Sequence, residues 1–589
     1  MGIKLGWIII PLMCLAVASC SQKKEATMKL NQIFDSYWEF RLKSDPTFAT
    51  YIGDHRYDDK LPDYSETAYL ADLDTLKNYL AQSEKINPND LSETDRVSLL
   101  IFQKIIRDGL EGAKFKSYVF PISQQNGPHI DFPQLISYHP FKTQSDYQNY
   151  ITRLNAFPKQ IDDIMANMQK GLAEGLLPAR VNIAKTLDQI KAHIVTKPEV
   201  SELYQPVKKL PEDFSTQEKQ EITKEVSQAI SNSIVPSFKK LLAFVQTQYL
   251  PKCREEVGIW ALQDGKERYE FYARIHTTTN LTPQQIFDIG KKELEWIHAD
   301  MNKIKEEVGF KGTLQQFMQS MRTNPKFFYA SKDSLMNGFR EILVKMEAKL
   351  PELFGHLPKA KWDLKEIEAY RAEAAPDAYY YSPPEDFSRP GYFYVNTSKL
   401  NMRPKYTMEA LAYHEAVPGH HLQGCIQQEM QNIPKFRRHE WFTAYGEGWA
   451  LYSEFLPKEV GFYSDPYSDF GRLTFQAWRA TRLIVDTGIH YFKWSRQQAI
   501  DFFKQNTGLS EHNINSEVDR YIAWPGQALA YKIGQLKIKE LRERAESELG
   551  ERFDVKAFHD QVLGEGNLPL DVLEEHIGRW IGEVKNSKA

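Results

Sequence analysis

The chain has 589 residues, 42% of them hydrophobic and 26% charged, the balance of a globular protein large enough for several cores. Its 74 basic and 78 acidic residues nearly cancel, and no RNA- or DNA-binding motif is present, which argues against a nucleic-acid partner. No repeat period stands out, which counts against a helical-repeat array.

The N-terminus reads as a targeting segment. Lys4 precedes an apolar run from Trp7 to Ala18, too short for a comfortable membrane span. Val17-Ala18-Ser19-Cys20 resembles a bacterial lipobox, which implies cleavage before Cys20, acylation of its thiol and membrane attachment. Ser21 and Gln22 follow rather than Asp, so analogy with Gram-negative sorting gives the outer membrane, facing the periplasm, as the expected address. Residues 1–20 are thus the expected signal peptide and 21–28 a tether. With Cys14 in the signal and Cys20 at the lipid site, Cys253 and Cys425 remain, enough for one disulfide but not for a disulfide framework.

Residues 29–260 form an expected N-terminal helical lobe, and 261–589 the lobe that carries the chemistry. Apolar residues recur at helical spacing through Val97–Ile106, Tyr147–Ile194 and Ser215–Tyr249, with Pro236 as an interruption of the last. His129 and His139 lie in a turn-rich loop and read as structural. Thr282-Pro283-Gln284-Gln285 is a capping box that opens a packing helix ending at Gly309. Ala378–Ser382 and Gly391–Asn396 are aromatic and β-branched, and predict a two-stranded ribbon. Such a ribbon beside a metal helix suits an extended substrate bound by strand addition, with Tyr394 on the ribbon. Arg389, between the strands, is a candidate partner for a substrate carboxylate.

Next comes Tyr413-His414-Glu415-Ala416-Val417-Pro418-Gly419-His420-His421. Imidazoles are common ligands of a borderline metal such as zinc, and a carboxylate beside the first His is where a metallohydrolase keeps its general base. In an H-E-x-x-H helix the second His stands at i+4, but here Pro418 occupies that place. On an unbroken helix i+6 points away from i, and i+7 lies about 10 Å along. A local bulge at Pro418-Gly419 would bring His420 to the i+4 position, so His414 and His420 are the expected ligands, with His421 the second choice and otherwise a substrate-side donor. Glu447, in Ala444-Tyr445-Gly446-Glu447-Gly448-Trp449, fits the third ligand, as in thermolysin-like sites, and Glu454 is its runner-up or an outer partner for a His N–H. Glu415 is the expected general base.

His-Glu-Ala-Val-Pro-Gly-His-His-Leu-Gln, Gly-Glu-Gly-Trp-Ala-Leu-Tyr and Arg520-Tyr521-Ile522-Ala523-Trp524-Pro525-Gly526-Gln527-Ala528-Leu529-Ala530-Tyr531 together resemble the bacterial family catalogued as domain of unknown function 885, grouped with the gluzincin zinc metallopeptidases. The resemblance covers nearly the whole mature chain. It implies a mainly α, two-lobed, zincin-like peptidase fold with a central cleft, a Zn2+ cofactor and a peptide substrate. By analogy with helical zinc peptidases, a Tyr from a late helix stabilises the oxyanion, with Tyr531 preferred, Tyr521 next, and Gln527 one turn from Tyr531 on the substrate side. Two alternatives stay open: a zinc amidase or esterase built on the same site, and a non-catalytic, helical, nutrient-binding lipoprotein of the outer membrane, which has no need of the His-Glu…His…Glu pattern.

Overall fold

Side-chain caps set the pattern of the fold. Thr143, Ser215, Thr282, Thr313 and Ser495 each close a capping box, in which hydroxyl and N3 side chain satisfy the free N–H groups of a helix start. The computed structural model describes residues 9–367, 372, 376–384, 387 and 389–587. Helix makes up 72% of it and strand 3%, so the mainly α expectation holds, together with a small sheet. The first helix, α1, runs Ile9–Ser44. The side chains of the lipobox and of Cys20 lie outside the described residues.

The long helix α2, Gln144–Glu174, ends on Gly175 at φ +70°, a left-handed cap that glycine adopts without strain. The interruption expected at Pro236 takes the form of π-turns at Ile230–Ile234 and Val245–Tyr249 that flank the helix Val235–Phe244. Residues between Ile122 and Cys253 enclose their own apolar core. Residues between Leu30 and Ile106, also N-terminal to position 260, join instead the apolar cluster that contains Tyr413, Trp449 and Ile538. The packing helix opened by Thr282 is α3, Pro283–Glu307.

The predicted ribbon is present as Ala378–Tyr381 and Gly391–Val395, paired antiparallel, and it carries a third strand that the sequence reading missed. That strand, β1, is Trp362–Glu366; β2 and β3 are the two predicted strands, in the spatial order β1-β3-β2 with β1 and β3 parallel. β1 escapes a pattern search because Asp, Lys and Glu occupy most of its exposed face. Leu364, Ala378, Phe393 and Val395 turn inward to the cluster that holds Ala412 and Tyr413.

Five further helices build the site: α4 Met408–Glu415, α5 His420–Glu429, α6 Thr443–Ser453, α7 Pro466–His490 and α8 Glu511–Ala523. A last one, α9 Ala530–Leu549, lies against α6. α7 is central: from Phe470 to His490 every residue but Trp478 is buried, including Arg472, Arg479, Arg482, Asp486 and His490. A helix buried all round is normally apolar, so these polar groups must find partners inside. No described helix is long and apolar enough to cross a membrane.

Candidate metal centre

The motif does not form one bulged helix. α4 stops at Glu415, four residues of loop follow through a cis Val417–Pro418 bond, and α5 begins at His420. Pro418 cannot donate to the carbonyl of His414, so a full helix break replaces the expected bulge. Gly419 is required there: a Cβ on it would sit 1.9 Å from the His414 carbonyl oxygen. α6 pins the loop, since Trp449 Nε1 donates to the Pro418 carbonyl at 2.9 Å and Ser453 Oγ does so at 3.2 Å.

The break carries the two rings together, with His414 and His420 centroids 4.9 Å apart. His414 Nε2 and His420 Nε2 each stand 3.5 Å from Glu447 Oε2, and the three ligand atoms lie within 4.8 Å of one another. Those separations are long for hydrogen bonds. Ligands about 2.1 Å from one tetrahedral ion are separated by about 3.4 Å. Two imidazole nitrogens and one carboxylate oxygen at that spacing could therefore hold a metal ion, and the N,N,O donor set suits zinc or a similar divalent metal.

The groups around the triad follow the same logic. His414 Nδ1 is 2.8 Å from Glu454 Oε1, which fixes the ring and leaves Nε2 for the ion, so Glu454 is an outer partner rather than a ligand. Burial alone would lower the His414 pKa, but the Glu447 and Glu454 carboxylates lift it to about 9. Burial alone would raise Glu447, yet the two imidazoles hold it well below the carboxylate range. Together these groups favour a cation between them. Glu415, half-buried beside His414, is pushed up by burial, with His414 and His420 opposing.

His421 is turned the other way. It is 2% exposed, its Nδ1 is 2.8 Å from Tyr380 Oη and its Nε2 is 3.3 Å from the Ala360 carbonyl. Both ring nitrogens are spent on protein groups near the sheet, so His421 serves neither of the roles expected of it. Arg389 stays on the aromatic face of the sheet: its guanidinium lies over Tyr381 at 4.8 Å and Tyr392 at 5.4 Å, and Nη1 donates to its neighbour Pro390 at 3.1 Å. Tyr394 is half-buried and stacks on Tyr379 at 4.9 Å. Among the described contacts, neither meets the His–His–Glu group. Cys253 and Cys425 are buried free thiols, so the one disulfide the sequence allowed is not formed; His129 and His139 are structural as read, bonding the Ser123 carbonyl at 3.1 Å and that of Asp146 at 2.9 Å.

The two tyrosines separate. Tyr521 is 1% exposed; its Oη donates to Glu517 Oε2 at 2.5 Å and accepts from Arg482 Nε at 2.9 Å, so its proton is committed. Tyr531 stands at the start of α9, which crosses α6 in backbone contact, since a Cβ on Gly448 would come 2.5 Å from Gly534. Burial raises the Tyr531 phenol pKa and the Glu447 charge raises it further, against Arg482 and Arg520. Gln527 is buried and accepts from Arg520 Nη1 at 2.6 Å. The turn before it, Trp524-Pro525, borders a cavity of about 470 Å³ lined also by Tyr272 and His276.

Arg479, Arg482 and Glu517 complete the surroundings and were not found from sequence. The available signal was a pair of arginines at i, i+3 inside the apolar run around Leu483-Ile484-Val485.

No curated protein matches the chain. A crystal structure from Colwellia psychrerythraea, described as a candidate lipoprotein, is 30% identical and superposes with a TM-score of 0.91, covering 95% of this chain and all of that one. A candidate lipoprotein of unknown function from Shewanella oneidensis shares the fold, with 18% identity, a TM-score of 0.73, and coverage of 93% of this chain and 99% of its own. The family pattern of bacterial proteins of unknown function, DUF885, matches residues 46–577. The chain belongs to the DUF885 family of bacterial proteins of unknown function.

Proposed function

We propose that the protein is a zinc-dependent peptidase of the zincin-like type, a two-lobed helical enzyme with a central cleft, lipid-anchored at Cys20 to the outer membrane and facing the periplasm. The observation that carries this reading is the convergence of His414, His420 and Glu447, each imidazole Nε2 standing 3.5 Å from Glu447 Oε2, with Glu415 next to His414 in the chain. A metal held by His414, His420 and Glu447 would supply Lewis acidity toward the scissile carbonyl and ease ionisation of water. Glu415 takes the proton from the attacking water as its oxygen bonds to the carbonyl carbon. It then hands that proton to the amine nitrogen as the C–N bond breaks. Tyr531 donates to the oxygen that gains negative charge, a contribution on the order of 3 kcal/mol of barrier. Glu454 holds the His414 ring throughout.

The test is a digest of a peptide mixture read by mass spectrometry, with and without chelator, for the unsubstituted protein and for Glu415→Gln. The reading predicts cleavage that the chelator abolishes, and a Glu415→Gln protein that keeps its metal but hydrolyses about 10²–10⁴-fold more slowly. Chelator-insensitive cleavage, or full turnover by Glu415→Gln, contradicts it.

A further inference from the structure

Two arginines on α7, one turn apart, lie beside the metal centre with donors unused. Arg479 is 5% exposed, and its Nη2 is 3.5 Å from Glu454 Oε1, the oxygen already held by His414. Its Nε and Nη1 are buried without a hydrogen-bond partner among the described residues. Arg482 is 4% exposed; it donates from Nε to Tyr521 and from Nη2 to Glu517, both at 2.9 Å, and its Nη1 is likewise buried without a partner.

The Arg482 guanidinium lies 4.3 Å over the Tyr531 ring, and Arg479 reaches Glu454, the carboxylate that holds the His414 ring. Glu454 is shared between Arg479 and His414, and Glu517 is shared by Arg482, Arg520 and the Tyr521 hydroxyl. Buried donors are almost always satisfied, so unused ones at a candidate site call for an acceptor. An anion supplies the missing acceptor, and a planar carboxylate matches the guanidinium fork.

We propose that Arg479 and Arg482 form the pocket for the substrate's free C-terminal carboxylate. This rests on the peptidase reading and narrows it to an exopeptidase or dipeptidase that requires an unblocked carboxyl end. It also moves carboxylate recognition from Arg389, on the sheet, to α7.

The test compares an unblocked tripeptide with its C-terminal carboxamide, by calorimetric titration of zinc-loaded Glu415→Gln and by cleavage with the unsubstituted enzyme. The free acid is expected to bind about tenfold or more tightly than the amide, the scale of a charge-assisted hydrogen bond. That preference should shrink in Arg482→Lys, which keeps the charge but not the fork, and in Arg479→Lys. Equal affinity for the two peptides, or no binding of either at millimolar concentration, overturns the pocket. A preference untouched by both arginine variants overturns it too, since the metal alone would then hold the carboxylate. Acid-selective binding without cleavage of either peptide would leave the pocket standing and retire the peptidase reading. Equal cleavage of both peptides would do the reverse.

Discussion

At the scale of single residues, the site shows how partners decide what a side chain can do. His420 and His421 are adjacent and chemically identical, yet one ring points at Glu447 and the other is spent on Tyr380 and Ala360. Tyr521 and Tyr531 divide in the same way, because Glu517 holds the proton of the first. Asp486 on α7 gives a separate, testable case. It is fully buried, accepts from Tyr269 Oη at 2.6 Å and from the Gly526 N–H at 3.1 Å, and thereby anchors the turn that precedes Gln527 and Tyr531. Burial raises its pKa from 3.8 to about 7, with Tyr269, the Gly526 N–H and Arg520 opposing. Below 3.8 both folded and unfolded chains hold this proton, so the group is neutral to stability there. Between 3.8 and about 7 the unfolded chain ionises first, so stability is lost as pH rises through that window and stays lost above it. Asp486→Asn should remove this loss, so that its stability relative to the unsubstituted protein improves with pH by on the order of a few kcal/mol. Denaturant midpoints across the window read the effect; a pH-independent difference would count against it.

At the scale of elements, the site depends on a helix break and a helix crossing. The break at Pro418-Gly419 was legible because Pro removes a donor and occupies the i+4 place where a second His belongs. Its form was not, because the loop is fixed by Trp449 and Ser453 from a helix distant in sequence. The crossing of α6 and α9 leaves no room for a side chain at Gly448, whose Cβ would meet Gly534 backbone at 2.5 Å. Gly448→Ala should therefore cost about 1–3 kcal/mol and move Glu447 away from the two imidazoles. Thermal unfolding and zinc content measured together check this, and no change in either would show that the crossing yields without effect. The helices and the β2–β3 ribbon were legible from apolar period and aromatic content. β1 was not, since it is a polar strand defined by its partner β3.

At the scale of the whole molecule, the residues grouped around the candidate site come from positions 414, 420, 447, 479, 482 and 531, carried by α4, α5, α6, α7 and α9. Metal-ligand chemistry restricts residue type and spacing, so the sequence singled out His414, His420 and Glu447, which the fold brings together, and Glu454, which bonds the His414 ring. It could not give Arg479 and Arg482, because a charged residue in a helix is ordinarily a solvated one, and only the burial of α7 on every side makes these two exceptional. The family match over residues 46–577 and the superposition on the Colwellia structure extend the same architecture to relatives described as candidate lipoproteins. The measurement that bears most directly on the account is metal content after purification, compared among the unsubstituted protein and His414→Ala, His420→Ala, Glu447→Ala and His421→Ala. The account predicts about one zinc per chain in the first and in His421→Ala, and loss of the metal in the other three. Retention of zinc by His420→Ala with its loss from His421→Ala would contradict it.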